Sequence, residues 1–525
     1  MKGERRREGV GRRCAVVALA GLLGLAGGGA RSAAAQEGSS AVGFDPSQPQ
    51  LYVVATSHLD TQWRWTIRQT IEAYLPATLE ENFALLEAYP EYCFNFEGSF
   101  RYRLMREYYP RAYGRLRDYI RGGRWRVAGS WVDAVDTNLP SPESLVRHAL
   151  YGNGFFRREF GVRSRDVFLP DCFGFGFALP SIAAHCGLTG FSTQKLSWGS
   201  AVGTPFEIGL WEGVDGSCLV AALNPGAYVA DLSGDQSRDS LWVARVEQQR
   251  ARSGLPIAFR YFGTGDTGGG PTEASVAWLQ RSIREGSGPL RVRCVASDQL
   301  ARDLTAGLDA EGEDAGVTLP LGLRAELLPP KTREAEAPDA PRDVRGRLER
   351  LPRYRGEMLM TDHGAGCYTS QAAMKRWNRR NECLADAAER AAACAAWMRG
   401  LRYPRETLQA AWERFLWHQF HDDLTGTSIP EAYVYSWNDE LLSLNQFAGV
   451  LADGVAAIAQ QLETDVLGEP LIVYNPLSIP REDLVHARVR FPDHPPAAVR
   501  VYGPDGVEVP SQVTGVTDDA LDLIF

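Results

Sequence analysis

The chain has 525 residues, too many for one hydrophobic core, so two or three domains are expected. Its 44% hydrophobic and 10% aromatic residues are those of an ordinary globular enzyme and exclude disorder as the main theme. The formal net charge of -9 argues against nucleic acid and anionic lipid as partners, and a neutral substrate suits it better.

Residues 1–35 are of another kind. "MKGERRREGVGRR" is a basic n-region, "CAVVALAGLLGLAGGGA" is an apolar run too short to span a bilayer comfortably, and "SAAAQ" offers a small-x-small cleavage site after Ala35. The segment reads as an export signal, with an uncleaved anchor as the alternative. A periplasmic or extracellular protein free of the membrane is therefore expected, since no other stretch reads as apolar enough to cross one. The segment holds seven Lys/Arg against two Glu, a charge of +5, so its removal takes the chain from -9 to -14. Residues 36–48 read as a linker.

From about 50 to 290, short β-rich runs alternate with amphipathic helices. "LYVVATS" precedes a helix over 70–88, "RWRVAGSWV" precedes "SPESLVRHALYGNGFFRREFG", "DVFLP" precedes 178–187, and "IAFRYFG" precedes 272–285. Ser141 followed by Pro142 is a good N-cap and N1 pair. Such alternation implies a mainly parallel sheet wrapped by helices, open or closed into a barrel. Between about 300 and 352 the pattern weakens into a charged, Pro-rich stretch that reads as a linker or surface loop. Helices are expected over roughly 370–399, 404–422 and 431–464, which pack naturally as a bundle. After "LGEP" the grammar changes to "LIVYNPLSIP", "DLVHARVRFP" and "AVRVYGPDGVEVPSQV", the beginning of a β domain that stops in mid-strand at Phe525. Eight of the nine cysteines lie beyond residue 35, scattered without a C-x-x-C pair. Zinc-ribbon and thioredoxin readings therefore fail, and the sequence does not pair the cysteines.

In parallel α/β sheets, ligands sit beyond the carboxyl ends of strands. Three such ends carry acids: "LYVVATS" runs into His58 and Asp60, "DVFLP" into Asp171, and "IAFRYFGTG" into Asp266. A single Asp after a strand is more often a helix cap. In "HLDTQW", however, two ligand-type side chains at i and i+2 can face one point, a spacing suited to a Zn²⁺-like ion. Near Asp171, glycines 174 and 176 let the backbone fold closely around whatever the carboxylate holds. "GTGDTGGGPT" lacks the G-K-[ST] ending of a phosphate loop, and a flexible turn is its bland alternative. In "WHQFHDDLTGTSI", His418 and His421 are expected at i and i+3 on one helix face, with Asp422 beside them.

"HLDTQWRW", "WVDAVDTNLPSPESLVRHALYG", "FLPDCFGFGFALPSIAAHCGLTGFSTQKLSW", "GTGDTGGGPT", "RGEMLMTDHGAGCYTSQAAMKRWNRRNE" and "QFHDDLTGTSI" resemble, in that order, the blocks of glycoside hydrolase family 38, the zinc-dependent retaining α-mannosidases. The resemblance implies a multidomain α/β protein. A β/α barrel-like catalytic domain would cover 49–335, a linker and three-helix middle domain 336–465, and the start of a β-sandwich region 466–525, continued in such proteins by further β domains. It implies one Zn²⁺ per chain on His58, Asp60, Asp171 and His421, with Asp171 also the nucleophile and Asp266 the acid/base. Trp63 would form part of the sugar platform, Asp422 would meet substrate hydroxyls, and Lys195, where many members have Arg, would hold Asp171 ionised. The implied partner is a mannose-containing glycan. Retention needs two carboxyls, one ionised to attack the anomeric carbon and one protonated to release the aglycone. His363 in "MTDHGAGCYTSQ" is an extra ligand or substrate contact, or a loop residue in solvent. A metal-dependent polysaccharide deacetylase and a non-catalytic sugar-binding protein are the rival readings.

Overall fold

The computed structural model describes residues 45–306 and 341–525. The expected signal at 1–35, most of the linker at 36–48 and the Pro-rich stretch over 307–340 lie outside the described residues. "LYVVATS" forms the strand Gln50–Ser57, buried along its whole length. Leu51, Val53 and Ala55 belong to one apolar cluster with Phe94 and Trp125. Tyr52 and Val54 belong to another with Phe259 and Tyr261. Both faces are thus covered, which is why the run is continuously apolar rather than alternating.

A strand has two edges, and this one uses them differently. Along one edge Ile257–Thr264 pairs in parallel over the full length. Along the other, Arg291–Cys294 pairs with Gln50–Val53, and Phe94–Glu97 takes over at Ala55 and Thr56. Trp125–Ala128 then joins Phe94–Glu97 to complete a sheet of five. A second five-stranded sheet runs in the order Arg353–Arg355, Ile208–Glu212, Cys218–Ala222, Gly190–Ser192, Asp166–Phe168. The two sheets meet where Gly129 N–H donates to Asp166 Oδ1 at 3.1 Å and Ser130 Oγ donates to Asp166 O at 3.1 Å. Helices wrap the outside, among them Leu75–Ala88, Glu273–Glu285 and Pro142–Phe160, the last capped by Ser141 accepting from Ser144 N–H.

The mixed α/β architecture, three long helices and C-terminal strands agree with expectation, and four details correct it. The middle helix is Arg405–Leu416, not 404–422; a single 3₁₀ turn, Trp417–Gln419, follows it. Residues 341–352 are not loop: Pro341–Arg350 is a helix, followed by the strand Arg353–Arg355. "LIVYNPLSIP" contains no strand. One further stretch does reach membrane-crossing length and apolarity: the helix Pro430–Ala459, with mean hydropathy 1.4. One face of it packs on its neighbours, with Phe447 and Val450 against Ala385, Ala388, Trp412 and Phe415. At Gly454 a Cβ would lie 2.9 Å from the Ala391 carbonyl carbon, so glycine permits the close approach of the two helices. In the C-terminal region Ala520–Ile524 is the central strand of a three-stranded antiparallel sheet, between His486–Arg490 and Gln512–Val516.

Candidate active site

Two strand ends are zipped together to build the site. His58 N–H donates to Thr264 O at 3.0 Å and Asp60 N–H to Asp266 O at 2.8 Å, and Leu59 bridges Thr267. This places "HLD" beside "GTGD". Close approach demands Gly263, where a Cβ would lie 1.8 Å from Thr56 O. Asp266 takes a left-handed conformation, φ 66°, which Asp tolerates better than most residues.

A third strand delivers the partner of His58. The Phe94–Glu97 strand ends on Glu97, whose Oε1 is 2.8 Å from His58 Nδ1, while His58 Nε2 lies 3.0 Å from Asp60 Oδ1. Burial pulls the His58 imidazole down, but Asp60 and Glu97 outweigh it and lift it to about 10. Burial likewise raises Asp60, and His58 and His421 overrule it, holding the carboxyl at about 2.

His421 arrives from the far end of the chain. Its segment pairs with the loop after Trp125–Ala128: Val135 bridges Phe420, Asp136 N–H donates to Gln419 O at 2.9 Å, and His421 N–H to Ala134 O at 3.0 Å. From the other side the Lys375 ammonium shares its three N–H groups among four carbonyls, those of Cys367 (3.0 Å), Ser370 (2.6 Å), Leu424 (2.9 Å) and Thr425 (2.9 Å). The ring is oriented by Nδ1, 3.1 Å from Ala134 O. Its Nε2 is buried without a hydrogen-bond partner. That atom lies 3.4 Å from Asp60 Oδ1, 3.7 Å from Asp171 Oδ2 and 3.5 Å from Asp422 Oδ2. Donor atoms of His58, Asp171 and His421 lie within 4.8 Å of one another, as do those of Asp60, His421 and Asp422.

These residues fit a Zn²⁺-type ion. Both imidazoles have Nδ1 tied to an acceptor, which turns Nε2 toward the carboxylates, the orientation that outer partners impose on ligating histidines. His418 belongs elsewhere, because the helix expected to carry it together with His421 has already ended. Its Nδ1 meets Asp423 Oδ2 at 2.6 Å and its Nε2 meets Asp439 Oδ2 at 3.2 Å. Burial opposes its charge, but those two carboxylates raise it to about 9.

Asp171 receives the ammonium of Lys195 on Oδ1. Burial alone would raise its carboxyl; His421, Lys195 and His58 hold it well below the usual carboxylate range. The Lys195 ammonium also lies 5.2 Å from the Phe173 ring and 4.6 Å from that of Trp198. His363, an exposed turn residue, meets the Trp198 ring edge-on, with centroids 4.8 Å apart, and the Phe173 ring at 5.7 Å. Asp422 accepts from Thr427 Oγ1 and is raised to about 8 by burial and by the Asp60 charge. Asp266 Oδ1 accepts from the Tyr228 hydroxyl at 3.0 Å, and the Tyr228 ring is 5.0 Å from that of His58. Trp63 is half-buried, its carbonyl accepting from Ile429 N–H at 2.8 Å and its ring covered on one face by Arg64 at 4.1 Å. Its ring also meets that of Trp65 edge-on, with centroids 6.1 Å apart, and Trp65 Nε1 donates to Asp60 O at 3.3 Å. Sequence reasoning missed Glu97, Tyr228 and Trp198. Of these only Glu97 carried a signal, as one more acid at a strand end.

Comparison with known proteins bears on this constellation. Residues 48–313 match the family model described as glycosyl hydrolases family 38 N-terminal domain, just over half of the chain. The chain belongs to glycosyl hydrolase family 38. Residues 364–457 of this family 38 chain also match the model described as alpha mannosidase middle domain. Alpha-mannosidase G of Dictyostelium discoideum is 29% identical over 402 residues, 76% of this chain and 32% of its own length. Alpha-mannosidase 2C1 of Homo sapiens is 30% identical over 385 residues, 73% of this chain and 32% of its own length. The chain thus spans about a third of the length of the curated relatives it matches. The crystal structure of an alpha-mannosidase from Enterococcus faecalis V583 has the same fold, with a TM-score of 0.67 at 16% identity, over 91% of this chain and 54% of that one.

Proposed function

We propose that this family 38 chain is a retaining α-mannosidase with Asp171 as nucleophile, Asp266 as acid/base, and one Zn²⁺ held by His58, Asp60, Asp171 and His421. The observation that carries the reading is His421 Nε2, buried and partnerless among the carboxylates of Asp60, Asp171 and Asp422. Such a donor set calls for a cation. The names of the curated relatives support mannosides as substrates, and a mannose-containing glycan as the natural one. When bound, the ion would supply Lewis acidity at the 2- and 3-hydroxyls of mannose, favouring the flattened ring of the transition state.

The protein's own groups carry out the displacement. Asp171, kept ionised beside Lys195, attacks the anomeric carbon as the bond to the aglycone oxygen breaks. Asp266 delivers a proton to that departing oxygen. It then takes one from the water that releases mannose from Asp171. The Tyr228 hydroxyl orients Asp266 through its 3.0 Å hydrogen bond. Trp63 offers a sugar-facing ring and Asp422 accepts a sugar hydroxyl. The basic and apolar run over 1–35 supports export of the enzyme.

Hydrolysis of an aryl α-mannoside followed by proton NMR, with metal content measured on the same sample, tests the reading. α-Mannose as the first product together with about one zinc per chain is expected. First formation of β-mannose would exclude the nucleophile assignment. Mannoside binding without turnover would favour a sugar-binding protein, and acetate release from an acetylated glycan would favour a deacetylase.

A further inference from the structure

The two-part edge of the first sheet has a seam. Arg291–Cys294 pairs with the first strand as far as Val53, and Phe94–Glu97 begins at Ala55, so the two abut end to end opposite Val54. Asn95 spans the join, its Nδ2 donating to Ala55 O at 3.1 Å and to Val295 O at 3.0 Å while its Oδ1 accepts from Ser297 N–H at 2.9 Å. At the join stand two cysteines, one closing the first strand and the other just preceding the second. The Sγ atoms of Cys93 and Cys294 are 3.4 Å apart, and Cys93 N–H donates to Cys294 Sγ at 3.4 Å. A disulfide here requires the two sulfurs to close from 3.4 Å to about 2.05 Å.

We propose that Cys93 and Cys294 form a disulfide that staples this seam, a modification site independent of the glycosidase reading. Three further observations support it. Both residues line a cavity of about 520 Å³ together with Arg124, Arg126, Arg291 and Arg293, so a small disulfide can reach them. Contact with Cys294 draws the Cys93 thiol down, against the opposing effect of burial, and Arg126 and Arg124 add to it, favouring the thiolate that starts exchange. The other six described cysteines show no such sulfur-to-sulfur contact among the described residues.

With oxidised glutathione as the oxidant, the Cys93 thiolate attacks one glutathione sulfur, forming a mixed disulfide and expelling one glutathione thiolate. Cys294, giving up its proton, then attacks the Cys93 sulfur and expels the second glutathione. Two protein thiols are oxidised, one glutathione disulfide is reduced to two thiols, and the two protons end on those products.

The full-length protein is equilibrated with excess oxidised or reduced glutathione, acid-quenched, alkylated and mapped by mass spectrometry, with melting curves of both forms. The expected result is a cross-linked pair of peptides carrying Cys93 and Cys294 after oxidation. Reduction should lower the melting temperature by roughly 5–10 °C. Cys93→Ser and Cys294→Ser should each melt like the reduced wild type and ignore the redox buffer. Alkylation of both cysteines after oxidation would overturn the proposal, as would a serine variant that still responds to reduction as fully as the wild type.

Discussion

Replacing Glu97 by Gln removes one charge and keeps the shape. The carboxylate lies 2.8 Å from His58 Nδ1, with both side chains essentially excluded from water. A hydrogen bond to a charged group in such a place contributes about 1.5–3 kcal/mol. Behind a ligating imidazole, a carboxylate also raises the basicity of the nitrogen facing the ion. The amide oxygen that replaces the carboxylate can still accept from Nδ1–H, so ring orientation and fold survive and basicity alone is lost. At about 1.4 kcal/mol per decade, a loss of about 1.4–2.7 kcal/mol weakens zinc binding 10- to 100-fold. Competition with a chromogenic chelator on metal-stripped protein measures it, with circular dichroism to verify the fold. Zinc affinity in Glu97→Gln equal to that of the wild type would mean that His58 does not hold the ion, and the site as assigned would fail.

Asp171→Ala is expected to abolish turnover of every mannoside. Asp266→Ala should spare aryl substrates with good leaving groups, because only poor ones need protonation; equal losses on both would remove Asp266 as the acid. Tyr228→Phe, which deletes the hydroxyl on Asp266, should reduce kcat about tenfold on poor leaving groups and little on activated ones, a split that steady-state kinetics reads directly. His418 stands at about 9 in the folded protein against 6.5 as a free side chain. Its stabilisation, on the order of 3 kcal/mol at most, is therefore complete below about pH 6.5 and lost as pH rises through about 9. His418→Gln should flatten that dependence in urea melts, and identical slopes in variant and wild type would contradict it. Lys375→Met strands the four carbonyls that its ammonium serves and should cost about 2–4 kcal/mol in the same assay, with zinc affinity falling as the His421 loop loosens.

What could be read in advance followed the strength of local signals. "LYVVATS" was legible as a strand because burial along its whole length leaves the continuous apolar run over 51–55, and its end pointed at once to His58 and Asp60. Asp171 and Asp266 followed from the same rule. Glu97 obeys that rule as well, but its strand has only four residues and includes Asn95, too little pattern to notice. Most of the second sheet escaped for the same reason, its strands being three to five residues long. Tyr228 left no trace, since a backbone bond to Gln194 Oε1 positions it within an irregular loop. The helix Pro341–Arg350 was hidden by the charged, Pro-rich run that leads into it. For His421 the residues suggested a helix face, whereas the ring is set by the pairing of Val135 with Phe420, a contact that no local pattern announces. The His-x-x-His-Asp cluster points toward metal or substrate without choosing between its histidines, and the resemblance to family 38 selects His421 as the ligand.

The pairing of Val135 with Phe420 has a bearing on how the protein is made. A ribosome releases His58, Asp60 and Asp171 early and His421 only on the order of tens of seconds later. Until then the emerging chain exposes an incomplete ligand set with low affinity for any ion. On the proposed assignment, tight zinc capture waits until the helical segment has docked against the loop after Trp125–Ala128. Metal loading would thus mark the completion of folding: a nascent chain stalled before residue 421 should carry little zinc, and a finished one should carry it firmly.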